Sequence, residues 1–235
     1  MIIYGKNAIK EAIKVKRPIY NLFLDQKFKD LNFLIFLKKF NINYKLLSKH
    51  KLNEKTKNSN HQGIVAEVKN YEYKNLKDLF VSSNLKKILI LDEIQDPHNF
   101  GAILRTIDAA NFDGVILGKK HQVLLNGTVA KTSSGALEYV NIFLVNNLFQ
   151  AILELKKANF IIIGTDIKSS LSFCSIPCNK SIAIILGNEG IGMRYILKQK
   201  CDLLIKIPMK GKINSLNVSV AAALIMYSTL NSIKL

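Results

Sequence analysis

The sequence predicts an α/β protein in two parts, a small basic α/β unit followed by a larger domain built on a parallel sheet. Three observations carry that expectation. Of the 235 residues, 49% are hydrophobic, enough to build a sizeable core. From Leu85 onward, short apolar runs alternate with stretches of helical spacing. Strands covered by helices on both faces read as such continuous runs. Ahead of that point the chain is more polar and more positive, with 17 basic and 7 acidic residues in 1–82.

In chain order, Asn7–Val15 has helical spacing, with Ala8, Ile9, Ala12, Ile13 and Val15 apolar. Ile19–Leu24 is strand-like, Leu31–Phe40 returns to helical periodicity, and Tyr44–Leu47 is a short strand candidate. Lys49–Gln62 reads as a polar, basic, mobile stretch, and Gly63–Val68 closes the unit as a strand. Residues 1–69 form the expected first domain and 70–84 the linker, with a short helix near Leu76–Val81. The second domain, 85–235, has strand candidates Ile88–Leu91, Gly114–Leu117, Asn141–Val145, Phe160–Gly164, Ile182–Leu186 and Leu203–Ile207. Helices are expected at Gly101–Ala110, Leu148–Ala158, Met193–Lys200 and Asn217–Ser232.

The net charge of +17 makes a polyanion the natural partner, nucleic acid above all. A chain that uses Lys at any solvated position reads the same way, so charge alone leaves both readings open. Three cysteines, Cys174, Cys178 and Cys201, fit reduced thiols packed as small hydrophobes in a cytoplasmic protein. Met1–Lys16 alternates charged and apolar residues, unlike a signal peptide. The apolar stretch Val218–Met226 is too short to span a bilayer. None of the four histidines has metal-ligand spacing with another, so no metal is expected.

Three constellations carry chemistry. The first, Asp96-Pro97-His98-Asn99-Phe100-Gly101-Ala102-Ile103-Leu104-Arg105, follows the first strand of the large domain. Asp and Asn cap helices well and Pro suits their first turn. Arg105 then lies roughly one and a half turns into the helix among apolar neighbours, and reads as solvated, ion-paired or functional. The second, Leu186-Gly187-Asn188-Glu189-Gly190-Ile191-Gly192-Met193, is a glycine-rich turn at the carboxyl end of a buried strand, where open α/β sheets bind ligands. Its spacing is not a dinucleotide fingerprint. The third, Ile207-Pro208-Met209-Lys210-Gly211-Lys212-Ile213-Asn214-Ser215-Leu216-Asn217, ends a strand, runs through a basic loop and opens a small-residue helix.

In this order, the three segments resemble the signature of the SpoU/TrmH methyltransferases, over about Lys87–Ser232. The opening Ile3-Tyr4-Gly5-Lys6-Asn7-Ala8 and His61-Gln62-Gly63-Ile64-Val65-Ala66 resemble the RNA-binding domain of one branch. That is the RlmB branch, which methylates guanosine in 23S rRNA. The resemblance implies a C-terminal trefoil knot, which periodicity would never suggest. It also implies S-adenosylmethionine as cofactor, ribosomal RNA as substrate, and a homodimer with its site near the interface. Carried across residue by residue, Thr165, Leu186, Gly187, Ile207, Met209 and Leu216 would hold the cofactor. Arg105, Asn99, Glu189, Ser215 and Asn217 would act on the ribose 2′-hydroxyl. Arginine is a poor base at neutral pH. Arg105 is therefore assigned to clamping the adjacent phosphate and stabilising the developing alkoxide.

Two other enzymes and one binding protein compete. A tRNA or other-site rRNA 2′-O-methyltransferase would share all three motifs. A non-catalytic RNA-binding assembly factor on this fold would be expected to have lost Arg105, Glu189 or Asn217, and all are present. A nicotinamide-dependent enzyme would need a G-x-G-x-x-G after its first strand, which is missing here.

Overall fold

The structure is a computed structural model that describes residues 1–81, 84–177, 179–188 and 190–230. It divides into two compact units, Met1–Glu72 with Leu125–Tyr139, and Tyr73–Leu124 with Val140–Leu235.

The first unit holds strands β1 (Ile2–Tyr4), β2 (Ile19–Asp25), β3 (Lys45–Leu47) and β4 (Ile64–Val68) in the order β1-β4-β2-β3. β4 pairs antiparallel with β1 and β2, and β3 lies parallel to β2. Helix α1 (Lys6–Lys14) buries Ala8, Ile9, Ala12 and Ile13, four of the apolar positions its spacing places on one face. Helix α2 (Leu31–Lys39) starts at Asp30, whose carboxylate accepts from the Phe33 amide, and buries Phe33 and Leu37. The expected mobile stretch is partly a third helix, α3 (Lys49–Lys55). Ser48 caps it and Leu52, fully buried, anchors it against Tyr4, Phe23 and Val65. One apolar residue in a seven-residue helix leaves no periodicity to read, which is why composition misled there.

Residues 125–139 supply this unit with helix α5 (Gly127–Thr132) and a 3-10 turn, Ala136–Glu138, neither foreseen. The Tyr4 and Thr128 hydroxyls lie 2.9 Å apart. Arg17 meets Glu138 at 2.6 Å with both side chains almost wholly buried. The Tyr139 hydroxyl donates to Glu11 at 2.6 Å. Gly135 has φ +95°, and a Cβ there would lie 2.4 Å from Glu11 Cγ, so only glycine fits against α1.

The second unit is a seven-stranded, wholly parallel sheet. In chain order its strands are β5 (Lys87–Asp92), β6 (Gly114–Gly118), β7 (Ile142–Val145), β8 (Ile161–Thr165), β9 (Leu171–Ser172), β10 (Ile182–Gly187) and β11 (Leu203–Lys206). Their spatial order is β7-β6-β5-β10-β8-β11-β9. The mixed α/β class and the parallel sheet match expectation; β9, two residues long, carries no legible pattern. Helix α6 (Leu148–Lys157) buries Leu148, Ala151, Ile152 and Leu155 on a core with Ile88, Ile90, Ile116 and Ile185. The remaining helices are α4 (Pro97–Ala109), the short α7 (Tyr195–Lys198) and α8 (Val218–Ser228), with a 3-10 turn at Leu76–Phe80. Helix α4 begins four residues earlier than the apolar spacing suggested, because Asp96 caps it and Pro97 is its first residue. Of the expected last helix, residues 231 and 232 lie outside the described residues.

Cys201 is partly buried beside Met193, and burial pushes its thiol up to about 11, as inert packing requires. Cys174 is exposed instead, and Cys178 lies outside the described residues. No described helix is long and apolar enough to cross a membrane. Among the described residues no group of three His, Cys, Asp or Glu is placed to hold a metal ion.

Candidate active site

At the carboxyl ends of β8, β10 and β11 lies a cavity of about 500 Å³. Parallel strands deliver their following loops to the same side of the sheet, so these three loops meet there. Thr165, Leu186, Gly187, Ile207, Met209 and Leu216 all line it, the full set expected to hold the cofactor. Ser215 lines it as well. The β10 loop folds tightly over the cavity. A Cβ on Gly187 would sit 2.1 Å from the Met193 amide nitrogen, so no other residue fits this turn without moving backbone. Asn188 Oδ1 accepts from the Gly190 amide at 2.9 Å, and the Gly192 amide donates to the Asn188 carbonyl at 2.8 Å. Glu189 lies outside the described residues.

Asn217 is the N-cap of α8: its Oδ1 accepts from the Ser219 amide at 2.9 Å. Its Nδ2 donates to Asn99 Oδ1 at 2.9 Å, which ties the first turn of α4 to the start of α8. The first and third constellations thus meet through a direct hydrogen bond. Arg105 is not brought to that point. It is the ninth residue of α4, exposed, on the helix face shared with His98 and Ala102, and outside the cavity lining.

The signature of the SpoU rRNA methylase family matches residues 86–227, and a second signature, RNA 2′-O ribose methyltransferase substrate binding, matches residues 2–74. The chain belongs to the SpoU/TrmH family of RNA methyltransferases. A Bacillus subtilis relative, YacO, named for TrmH family tRNA/rRNA methyltransferase activity, is 40% identical over 96% of this chain and 93% of its own. A Staphylococcus aureus protein of the same naming is 41% identical over 96% of this chain and 94% of its own. The SpoU methyltransferase AviRb of Streptomyces viridochromogenes, crystallised with the cofactor AdoMet, superposes with a TM-score of 0.82 at 21% identity. That alignment covers 97% of this chain and 88% of AviRb, and shows a shared fold.

In and around the cavity stand groups that the motifs did not announce. Asp166 and Lys198 form an ion pair on the cavity wall, and the Lys198 ammonium holds the Asp166 carboxyl below its usual range. Lys206 lines the wall beyond them. Asp92, at the end of β5, is 1% exposed and bound by Arg194. A signal for Asp92 was present: a carboxylate closing the buried run Ile88–Leu91 needs a partner. The partner itself, 102 residues away, could not be named without the fold.

Proposed function

We propose that this SpoU/TrmH enzyme transfers a methyl group from S-adenosylmethionine to a ribose 2′-hydroxyl, that of a guanosine in 23S rRNA. The observation that carries this reading is that the second and third motif segments line one cavity at the carboxyl end of the sheet, with the first segment joined to the third by the Asn217–Asn99 hydrogen bond. The residues present fit the cofactor. Leu186, Ile207, Leu216, Val218 and Ile225 offer an apolar wall for an adenine ring, and glycine backbone at 187, 190 and 192 supplies polar groups without side-chain obstruction. Asp166, Lys198 and Lys206 provide charge for its zwitterionic end.

When bound, S-adenosylmethionine supplies a methyl group on a sulfonium, a leaving group that needs no protonation. The difficulty left to the protein is the ribose hydroxyl, a weak acid that must be held in line and relieved of its proton. Asn99, Ser215 and Asn217 orient the ribose; the Asn217–Asn99 bond fixes the amide that faces it. Arg105 clamps the neighbouring phosphate and stabilises negative charge as it develops on the oxygen. Glu189 completes the set. In this reading the first unit, the expected domain 1–69 completed by Leu125–Tyr139, chooses the RNA, and the second unit carries the chemistry and the knot. The enzyme works as a homodimer; the exposed stripe Val220, Leu224 and Tyr227 on α8 supports that assembly.

The test uses purified protein, labelled S-adenosylmethionine, and total rRNA and tRNA from a strain lacking the gene. Label at one alkali-resistant position of 23S rRNA is expected. Label in tRNA would keep the chemistry and overturn the substrate. RNA binding with no label in either would favour an assembly factor.

A further inference from the structure

The β10 loop that roofs the cavity is tied at two points to the same pair of residues. Register places Gly187 directly opposite Asp92, so β10 and β5 end side by side. Past that point the chain would be free, because both strands have run out of partners. Asn188 Nδ2 donates to the Glu93 carbonyl at 2.9 Å and makes the first tie. Arg194 makes the second, where the loop ends and α7 begins. Its amide nitrogen donates to Asp92 Oδ2 at 2.9 Å and its Nε to Asp92 Oδ1 at 2.7 Å, while Nη2 lies 2.6 Å from Oδ1. Nη1 lies 3.4 Å from Glu93 Oε1. Asp92 is buried, so its carboxylate has no water to fall back on, whereas Arg194 is 44% exposed along its side chain. Removing Arg194 would leave that buried charge uncompensated, so the pair holds the loop firmly.

Glu93 has φ +63°, an unfavourable conformation for a residue with a side chain. There the chain turns out of β5 toward Asp96, the cap of α4, with the Ile94 amide held by Gln122 Oε1 at 2.9 Å. The two residues that fasten the β10 loop therefore also launch the helix that carries Asn99 and Arg105.

We propose that Asp92 and Arg194 are positioning residues, a clamp that holds the β10 loop in its cofactor-binding shape against the root of the substrate-side helix. The inference rests on the cavity being the cofactor site. Neither side chain lines that cavity. They act through Gly187, Gly190, Gly192 and Met193, which do. Asp92→Asn keeps the shape and removes the charge that Arg194 grips. Arg194→Lys keeps the charge and removes the fork that grips with three nitrogens.

The wild-type protein is first shown to bind S-adenosylmethionine by calorimetry without RNA; failure at that step would sink the cofactor reading itself, separately from the clamp. Asp92→Asn and Arg194→Ala are then compared with it by calorimetry, by steady-state kinetics and by thermal melting. The clamp predicts a rise of about tenfold or more in cofactor Kd and KM, with a much smaller fall in kcat. RNA affinity measured without cofactor is expected to stay unchanged. Arg194→Lys is expected to fall between wild type and Arg194→Ala. Folded variants whose cofactor KM equals the wild-type value would overturn the proposal, as would a loss confined to the fraction of active protein. If Asp92→Asn does not fold, Arg194→Lys and Arg194→Ala decide the matter alone, since Arg194 is partly exposed.

Discussion

The two units place their ion pairs differently. In the first, the well-defined ionic contacts are structural: Arg17 with Glu138, Lys6 with Asp30 at 2.5 Å, Lys55 with Glu67 at 2.8 Å. They fasten helices and loops to a small, mostly antiparallel sheet. In the second, the core is a slab of apolar parallel strands; Lys86–Asp113 and Lys156–Asp202 pair where strands begin, and Asp92–Arg194 and Asp166–Lys198 pair where strands end, near the cavity. A small unit whose sheet is short must hold itself together partly with polar contacts. A larger sheet buries more apolar surface and depends less on such pairs, which leaves others free to shape the loops at its carboxyl end. The difference explains why the chemistry of this protein was easier to locate than its RNA-binding surface.

Substitutions sharpen the contrast. Arg105→Ala is expected to lower kcat/KM about 100- to 1000-fold, the usual cost of removing one group that stabilises developing charge. Being exposed, Arg105 should leave the melting temperature unchanged. Activity that survives the change would place the working cation elsewhere. Arg17→Ala should act in reverse, costing about 3–5 kcal/mol of stability because it leaves Glu138 buried and unpaired. Chemical denaturation followed in the first unit would detect it; a loss below about 1 kcal/mol would mean that the pair behaves like a surface contact. Gly187→Ala should cost about 1–3 kcal/mol, read mainly as lost S-adenosylmethionine affinity, since the added carbon meets the Met193 backbone.

The smallest effect concerns pH. His61 Nε2 lies 3.0 Å from Asn53 Oδ1, and its Nδ1 accepts from the Gly63 amide at 3.0 Å. That arrangement suits the neutral ring, and burial lowers the imidazole from 6.5. Its contribution to stability is therefore complete above pH 6.5 and is eroded as the pH falls from there toward the lowered folded value. Melting of the first unit should fall between about pH 7.5 and about pH 5.5, and His61→Gln should flatten that slope. An unchanged slope would assign the acid sensitivity to other groups.

How much of this was legible in the sequence follows the same division. The six strand candidates of the large domain each correspond to a strand within a residue or so, because Ile-, Leu- and Val-rich runs buried on both faces leave a strong pattern. The residues expected to hold the cofactor were readable only through the resemblance, and all six line one cavity. Helix α3 was hidden because Leu52 is its sole buried residue. The start of α4 was hidden because Pro97, His98 and Asn99 have no apolar periodicity, although Asp96 and Pro97 are good signals for a helix start. Asp92–Arg194 and Asp166–Lys198 were out of reach for another reason: each joins residues far apart in the chain, and only the strand order brings them together.

The segment Leu125–Tyr139 gives the chain a particular biography. The first unit is not finished when its first 72 residues have been made; α5 and Glu138 arrive only after β5, α4 and β6 have been synthesised. Until then Arg17 has no Glu138 and Tyr4 has no Thr128. On the ribosome, the nascent N-terminal part must therefore wait, incomplete, while the middle of its neighbour emerges. A fragment cut after residue 84 would expose the surface that α5 covers and should aggregate or melt early. The same split makes a simple exchange of N-terminal domains between relatives a poor design, because the junction that completes the transplanted piece lies more than fifty residues further on.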